Sequence, residues 1–427
     1  MGGRDALGKA HEGKADAAGI DGRPAGDRAC AAPAQVKPRT RRQRMAAVPR
    51  KRTAAVVLLL FVVVFCGSLV FLNTSIEKPP LRPTGGSQFA KATVEEVLES
   101  NIGQSEEGEM QGNQRVLLTI TSGEFKGSVV EATSPYSNNA GALCTEGEHV
   151  VVLVNKSVSD TLMATVYNYD RGFELWVLIA VFLGLLCVAG GRAGVLSAVG
   201  LLFTFACLFF FFLPLIYIGV SPFATAVATV VLVTVVGIYL IGGWSVKTAS
   251  AVLGTIAGVL VAGLAASAFG AAAHITGLNV DDVETLAYIG QNSKIDVSGL
   301  LFAGILISSS GAVMDVSMSV ASTVAELHAR SPRLGFKSLF ESGMTVGRDM
   351  MGTMTHTLIL AFAGGAINTI VIIYAYSMPY LEFMNGYAIG IEIMRGLSGS
   401  IGIILTVPFV SLLSAYLTTR CRRAEMR

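Results

Sequence analysis

Apolar runs on the order of 20 residues recur along this chain, each long enough to cross a hydrocarbon core about 30 Å thick. They are Ala54 to Leu72, Leu175 to Ala189, Val195 to Ile218, Phe223 to Ile241, Ala249 to Phe269, Leu300 to about Val320, Met354 to Tyr376 and Ile401 to Leu417. The pattern predicts a polytopic α-helical membrane protein of about eight spans. Between the first run and the second the period changes from that of helices to that of strands. Segments around Ala92 to Val97, Val116 to Thr121, Gly127 to Ala132, Val150 to Asn155 and Met163 to Tyr169 are short and rich in Val, Thr and Tyr. Turn pairs such as Ser122-Gly123 and Glu146-Gly147 separate them. About five such strands predict a small β-rich domain, an OB-like barrel or a sandwich.

Charge sets the orientation. Only 15% of residues are charged, well below the roughly 25% of soluble proteins, as lipid contact requires. The arm 1–53 holds 13 Lys and Arg against 5 Asp and Glu, whereas 73–173 holds 7 against 13. The arm has no hydrophobic period and reads as disordered and cytoplasmic. Its cluster Arg39, Arg41, Arg42, Arg44, Arg50, Lys51 and Arg52 abuts the first apolar run, so it reads as a topology anchor and not as a nucleic-acid patch. The run itself is long for a signal peptide and lacks an A-x-A-like site, so 54–72 is read as a retained signal anchor. With the N-terminus inside, Arg192, Lys247, Arg330, Arg333, Lys337, Arg420, Arg422 and Arg423 all fall on the cytoplasmic side. The acidic loop of Asp281, Asp282 and Glu284 falls outside, with Lys294 and Arg395. The organisation that follows is an extracytoplasmic β-rich domain over 73–173, a seven-span core over 174–418 and a basic cytoplasmic tail over 419–427.

The sequence offers little metal, redox or nucleotide chemistry. Six scattered cysteines form no CxxC pair, and Cys144 stands alone in the β-rich domain, so no disulfide forms within it. Gly243-Trp-Ser-Val-Lys247-Thr248 lacks the glycine before the lysine that a phosphate-cradling loop needs. No cofactor and no catalytic residue is expected.

The polar residues inside the spans are more informative. On a helix from Leu300 to Arg330, Ser308, Gly311, Asp315, Ser319, Ser322, Thr323, Glu326 and Arg330 share roughly a third of the circumference. On the later helix Thr345, Asp349, Gly352, Thr353 and His356 share a face, with Arg348 beside them. Lipid offers no hydrogen bonds, so two such stripes are expected to pack together. Asp315, Ser319, Arg348, Asp349, Thr353 and His356 are thus the candidates for an ion-coupling or substrate site. An Asp315–Arg348 ion pair that only locks two helices together is the alternative. Glu392 and Arg395, three apart, can pair within an amphipathic segment from Met378 to Ser400, read as an interfacial helix or a re-entrant loop. Gly254-x-x-x-Gly258 and Gly364-Gly365 permit close helix packing. Gly190-Gly191-Arg192-Ala-Gly194 reads as a tight cytoplasmic turn.

Three blocks resemble the YibE/F-like family of bacterial membrane proteins. They are Gly311-Ala-Val-Met-Asp-Val-Ser-Met-Ser-Val-Ala-Ser-Thr-Val-Ala-Glu-Leu327, Val346-Gly-Arg-Asp-Met-Met-Gly-Thr-Met-Thr-His-Thr-Leu-Ile-Leu-Ala-Phe362, and Gly399-Ser-Ile-Gly402 leading to Val407-Pro408. The resemblance covers roughly 91 to 416 and implies a multi-pass protein of the bacterial plasma membrane. His356 departs from the family's usual Asn before Thr-Leu-Ile.

Two functions are expected. The first is a secondary transporter or permease for a small solute or ion, driven by a gradient because no ATP-binding motif is present. The second is a non-transporting scaffold or signalling partner whose β-rich domain binds another protein. An intramembrane aspartyl protease is set aside, since Gly311-Ala-Val-Met-Asp315 has the wrong spacing for a GxGD signature. The partners expected are the lipid bilayer and the solute, with no nucleic acid, and homo-oligomers are left open.

Overall fold

The computed structural model describes residues 60–71, 73–74, 87–104, 108–137, 141–156, 162–280 and 283–425, with side chains described as far as Arg420. The basic arm, the start of the first apolar run, Asp281, Asp282, and the side chains of Arg422 and Arg423 lie outside the described residues.

The strand period is realised as a closed barrel. Its strands are β1 (Gln88–Gln104), β2 (Met110–Ile120), β3 (Val129–Tyr136), β4 (His149–Lys156) and β5 (Leu162–Tyr169), in the order β1-β2-β3-β5-β4. Neighbours pair antiparallel except β3 and β5, which run parallel through Ala132 opposite Ala164 and Thr133 opposite Thr165. Alternate residues point inward: Val116, Leu118 and Ile120 on β2 and Val150, Val152 and Val154 on β4 are fully buried. Each such side chain contributes about 1.5–3 kcal/mol by leaving water. Shifts of register in β1 between Val94 and Glu96 and between Val97 and Glu99 let this long strand bend round the barrel.

A buried Gln114 pins the loop before β4. Its Oε1 accepts from the Cys144 backbone N–H at 2.8 Å, and its Nε2 donates to the Cys144 carbonyl at 3.3 Å. Burial pushes the Cys144 thiol up, so it stays protonated and unreactive.

The last strand runs almost directly into the membrane part. Asp170 accepts from Lys91 Nζ at 2.7 Å, and its Oδ1 accepts from the Gly172 N–H at 3.1 Å. The hydrogen bond from Lys91, then the one from Gly172, hold the Asp170 carboxyl below the ordinary carboxylate range despite some desolvation. A carboxyl lowered by folding stabilises the fold above its unfolded pKa and loses that contribution as pH falls through its folded pKa. The urea midpoint of the barrel, read by proteolysis, is therefore expected to fall between about pH 5 and pH 3 in the wild type. Asp170→Asn should start lower and lose less over that window. An identical pH profile in the two proteins would remove this latch from the stability of the junction.

Among the described residues, five helices are long and apolar enough to cross a membrane, or six if one bent pair counts as a span. A shorter apolar helix, α1 (Leu60–Phe71), precedes the barrel. After it come α2 (Gly172–Cys207), a wide π-helical turn over Leu208–Phe212, and α3 (Leu213–Tyr217). The turn widens the helix just where the Pro214 ring would crowd the carbonyl four residues back. Helix α2 is interrupted at Gly191, whose φ of 53° and ψ of −130° are not helical. A Cβ at Gly194 would land on the carbonyl oxygen of Leu186, so the chain doubles back there. The tight turn expected over Gly190 to Gly194 is present.

Next come α4 (Pro222–Gly242), α5 (Val246–Ala272), α6 (Val283–Asn292), α7 (Leu300–Arg330), α8 (Phe336–Gly365), α9 (Ile367–Ala375), α10 (Tyr380–Asn385) and α11 (Tyr387–Glu425). The straight span expected from Met354 to Tyr376 takes a different form. Helix α8 begins at Phe336, and the chain bends by 63° between α8 and α9. The segment Met378 to Ser400, left between an interfacial helix and a re-entrant loop, places 387–400 in the first turns of α11.

Helices α5, α7 and α11 form the centre. Gly254, Gly258 and Ala262 on α5 face Val410, Thr406 and Gly402 on α11, an antiparallel contact between two ridges rich in small residues. Gly343 and Gly347 bring α8 equally close to Ser411 and Val407 of α11. Two buried hydroxyls at this contact bond within their own helices: Thr255 donates to the Ala251 carbonyl at 2.8 Å and Thr406 to the Gly402 carbonyl at 2.7 Å.

Candidate functional site

Helix α7 is two-faced. Val313, Val316, Ser317, Val320 and Val324 are buried on one side. On the other, Ser308, Gly311, Asp315 and Glu326 are exposed, with Ser319, Ser322 and Thr323 half-buried. Helix α8 repeats the arrangement. Gly343, Gly347 and Leu358 are buried, whereas Thr345, Arg348, Asp349, Gly352, Thr353 and His356 are exposed. Both stripes exist where the sequence places them, and both turn outward.

The expected packing of one stripe against the other therefore does not occur by direct contact within the chain. Among the described residues, no side-chain hydrogen bond or ion pair joins Asp315, Ser319, Arg348, Asp349, Thr353 and His356 to one another, and the Asp315–Arg348 lock is not formed. The physical reason is the opposite face of each helix. Glycine and valine ridges allow backbones to approach closely, and that apolar packing turns the polar sides away from the bundle. The threonine hydroxyls bond locally, Thr353 to the Met350 carbonyl at 3.0 Å and Thr357 to the Thr353 carbonyl at 3.0 Å. Asp315 has no such outlet. An ionised Asp at mid-helix costs about 2.5–3.5 kcal/mol or more against acyl chains, so this face has to meet water or protein. Among the described residues, no three His, Cys, Asp or Glu side chains are grouped to hold a metal ion.

A cavity of about 480 Å³ lies at the break between α8 and α9, which sequence reasoning did not find. Gly365, Ala366 and Thr369 line it from the break, Leu300 and Leu301 from the start of α7, and Glu392 and Arg395 from α11. Arg395 donates to Glu392 at 2.6 Å, and both side chains are largely covered. The i, i+3 pair was legible. Its meeting with Gly364-Gly365 was not, because the two segments are brought together only by the bend. Broken helices at membrane depth are tolerated where they line a cavity.

A small closed barrel followed by a bundle of long apolar helices defines a membrane-embedded protein. The model of the family described as YibE/F-like protein matches residues 178–420, more than half of the chain. The chain belongs to the YibE/F-like family. The matched stretch begins beyond the barrel, so the family extends over the membrane part of the 91–416 resemblance. No curated protein and no solved structure matches the chain.

Proposed function

We propose that the protein is a gradient-driven transporter or permease for a small solute or ion, built on eight spans, with no enzymatic step. The observation that carries this is the polar face of α7, on which Ser308, Asp315, Ser319 and Glu326 follow one another along a helix whose first residues, Leu300 and Leu301, line the cavity. A carboxylate without a counter-charge midway along such a helix is suited to take up and release a proton or cation. The eight spans are α1, the two arms of α2 on either side of Gly191 (the second continuing through α3), α4, α5, α7, the bent α8–α9 pair, and α11. This register places Arg192, Lys247, Arg330, Arg333, Lys337 and Arg420 on the cytoplasmic side of a bacterial plasma membrane, with both termini inside. The barrel then sits outside, and its strand order with parallel β3 and β5 supports an OB-like assignment.

The test is flux in proteoliposomes loaded with a pH-sensitive dye and screened with ions, osmolytes and small organic acids and amines. The wild type is expected to move protons or the test cation in response to at least one of them. Asp315→Asn should lower the initial rate by about a hundredfold, the lower end of what a positioned proton-transfer group contributes. Unchanged flux in that variant would remove Asp315 from the mechanism. The scaffold reading is favoured by exposed Phe89, Met163 and Tyr167 on the barrel wall, Phe89 and Tyr167 meeting edge to face with ring centroids 5.2 Å apart. Deleting 88–169 separates the two readings, because a transport core keeps flux and a scaffold loses its partner.

A further inference from the structure

We infer that the cavity at the break between α8 and α9 binds a small zwitterion, a molecule of amino-acid size carrying one carboxylate and one ammonium group. The inference deepens the transport reading and rests on it for the zwitterion's role as cargo, whereas the site itself is tested by binding alone.

The lining carries the argument. Of the described residues around the cavity, only Glu392 and Arg395 are charged, one of each sign. They stand three apart on α11 and are partly covered. Among the described residues they share a single hydrogen bond, from Arg395 Nη1 to Glu392 Oε1 at 2.6 Å. A guanidinium has five N–H donors and a carboxylate two oxygens, so most of the donors and one oxygen remain for a ligand. A lone anion that approaches Arg395 meets Glu392 beside it, and a lone cation at Glu392 meets Arg395. Each loses to the like charge much of what it gains from the opposite one. A zwitterion laid antiparallel to the pair gains on both sides, carboxylate to guanidinium and ammonium to carboxylate.

The broken helix repeats this polarity in its backbone. Gly365 closes α8, Thr369 lies in the first turn of α9, and both line the cavity. A helix ends in carbonyls without intrahelical partners and begins in N–H groups without them. The break thus sets a partly negative end beside a partly positive one. No side chain caps the start of α9. Discontinuous helices present their ends to ligands in this way. The volume of about 480 Å³ lies within the range of small-molecule sites. Asp315 stands fourteen residues beyond Leu301, roughly 21 Å along α7, so the zwitterion leaves it without a counter-charge.

Full-length protein in lipid nanodiscs is titrated calorimetrically with glycine, alanine and β-alanine, and with propionate, propylamine and propionamide, which keep one charge or none. At least one zwitterion is expected to bind, and the other three compounds to bind about tenfold more weakly or worse, the loss of one charge-assisted hydrogen bond. Glu392→Gln should shift preference from the zwitterion toward propionate, and Arg395→Gln toward propylamine, each by about tenfold. A pair that only holds α11 in shape would not exchange one preference for another. Should the charge variants fail to fold, Gly365→Trp keeps both charges. A Cβ at Gly365 meets nothing within 4 Å, so this variant should fold as wild type and lose zwitterion binding. No binding of any of the three zwitterions up to about 10 mM, propionate or propylamine bound as tightly as the best of them, or unchanged affinity in Gly365→Trp would each overturn the site. Zwitterion binding without flux would uphold the site and remove transport. Flux of another solute without zwitterion binding would do the reverse.

Discussion

Gly258→Leu is expected to abolish accumulation of folded protein in the membrane. A Cβ at this position would land on the Thr406 hydroxyl and come within 2.9 Å of Val313 Cγ1. Neither neighbour can give way. Thr406 is fully buried and bonded to the Gly402 carbonyl, and Val313 is fully buried in α7. The substitution thus forces apart α5, α7 and α11 at the point where all three meet. Overpacking of this kind costs about 3 kcal/mol or more, a large part of what holds a typical domain together. Gly184→Leu is the internal control, since a Cβ there meets nothing within 4 Å. Membrane abundance and thermal aggregation of the two variants in detergent decide the matter. Equal behaviour would mean that the small-residue ridge does not set the helix spacing.

Leu118→Asp is expected to unfold the barrel while leaving the helices inserted. Leu118 is fully buried among Val116, Ile120 and Val152 in a single small core. An ionised carboxylate there finds no counter-charge and no water, a mechanism that reaches the extreme of point-mutant effects, about 4–5 kcal/mol or more. The helical part has its own core and does not draw on this one. Protease added to the barrel side should digest the variant's 88–169 segment and spare the membrane-protected fragment. A protease-resistant barrel would contradict the assigned interior.

Much of this architecture was written in periodicity. Val116, Leu118 and Ile120 alternate with polar neighbours, and so do Val150, Val152 and Val154, so the strands that carry them were legible. The far ends of β1 and β2, Glu99–Gln104 and Met110–Arg115, were not, because that ribbon is mostly exposed on both faces and has no alternation to read. The start of α8, before Thr345, was hidden for a related reason. Lys337 and Glu341 lower its hydropathy, although Gly343 docks it against α11. The stripes on α7 and α8 followed from the angle between residues. The direction each stripe faces did not follow, since spacing identifies a side of a helix and says nothing of which neighbour claims it. Backbone approach at Gly343 and Gly347 decided that, in favour of the apolar side. The cavity beside Glu392 and Arg395 depends on a 63° bend that no local pattern announces.

Only Asp170 and Arg171 separate the end of β5 from the first turn of α2, and the Asp170 carboxylate clasps both Lys91 of β1 and the Gly172 amide. A joint that short leaves little slack, so a displacement of the barrel would pull directly on the first turn of α2.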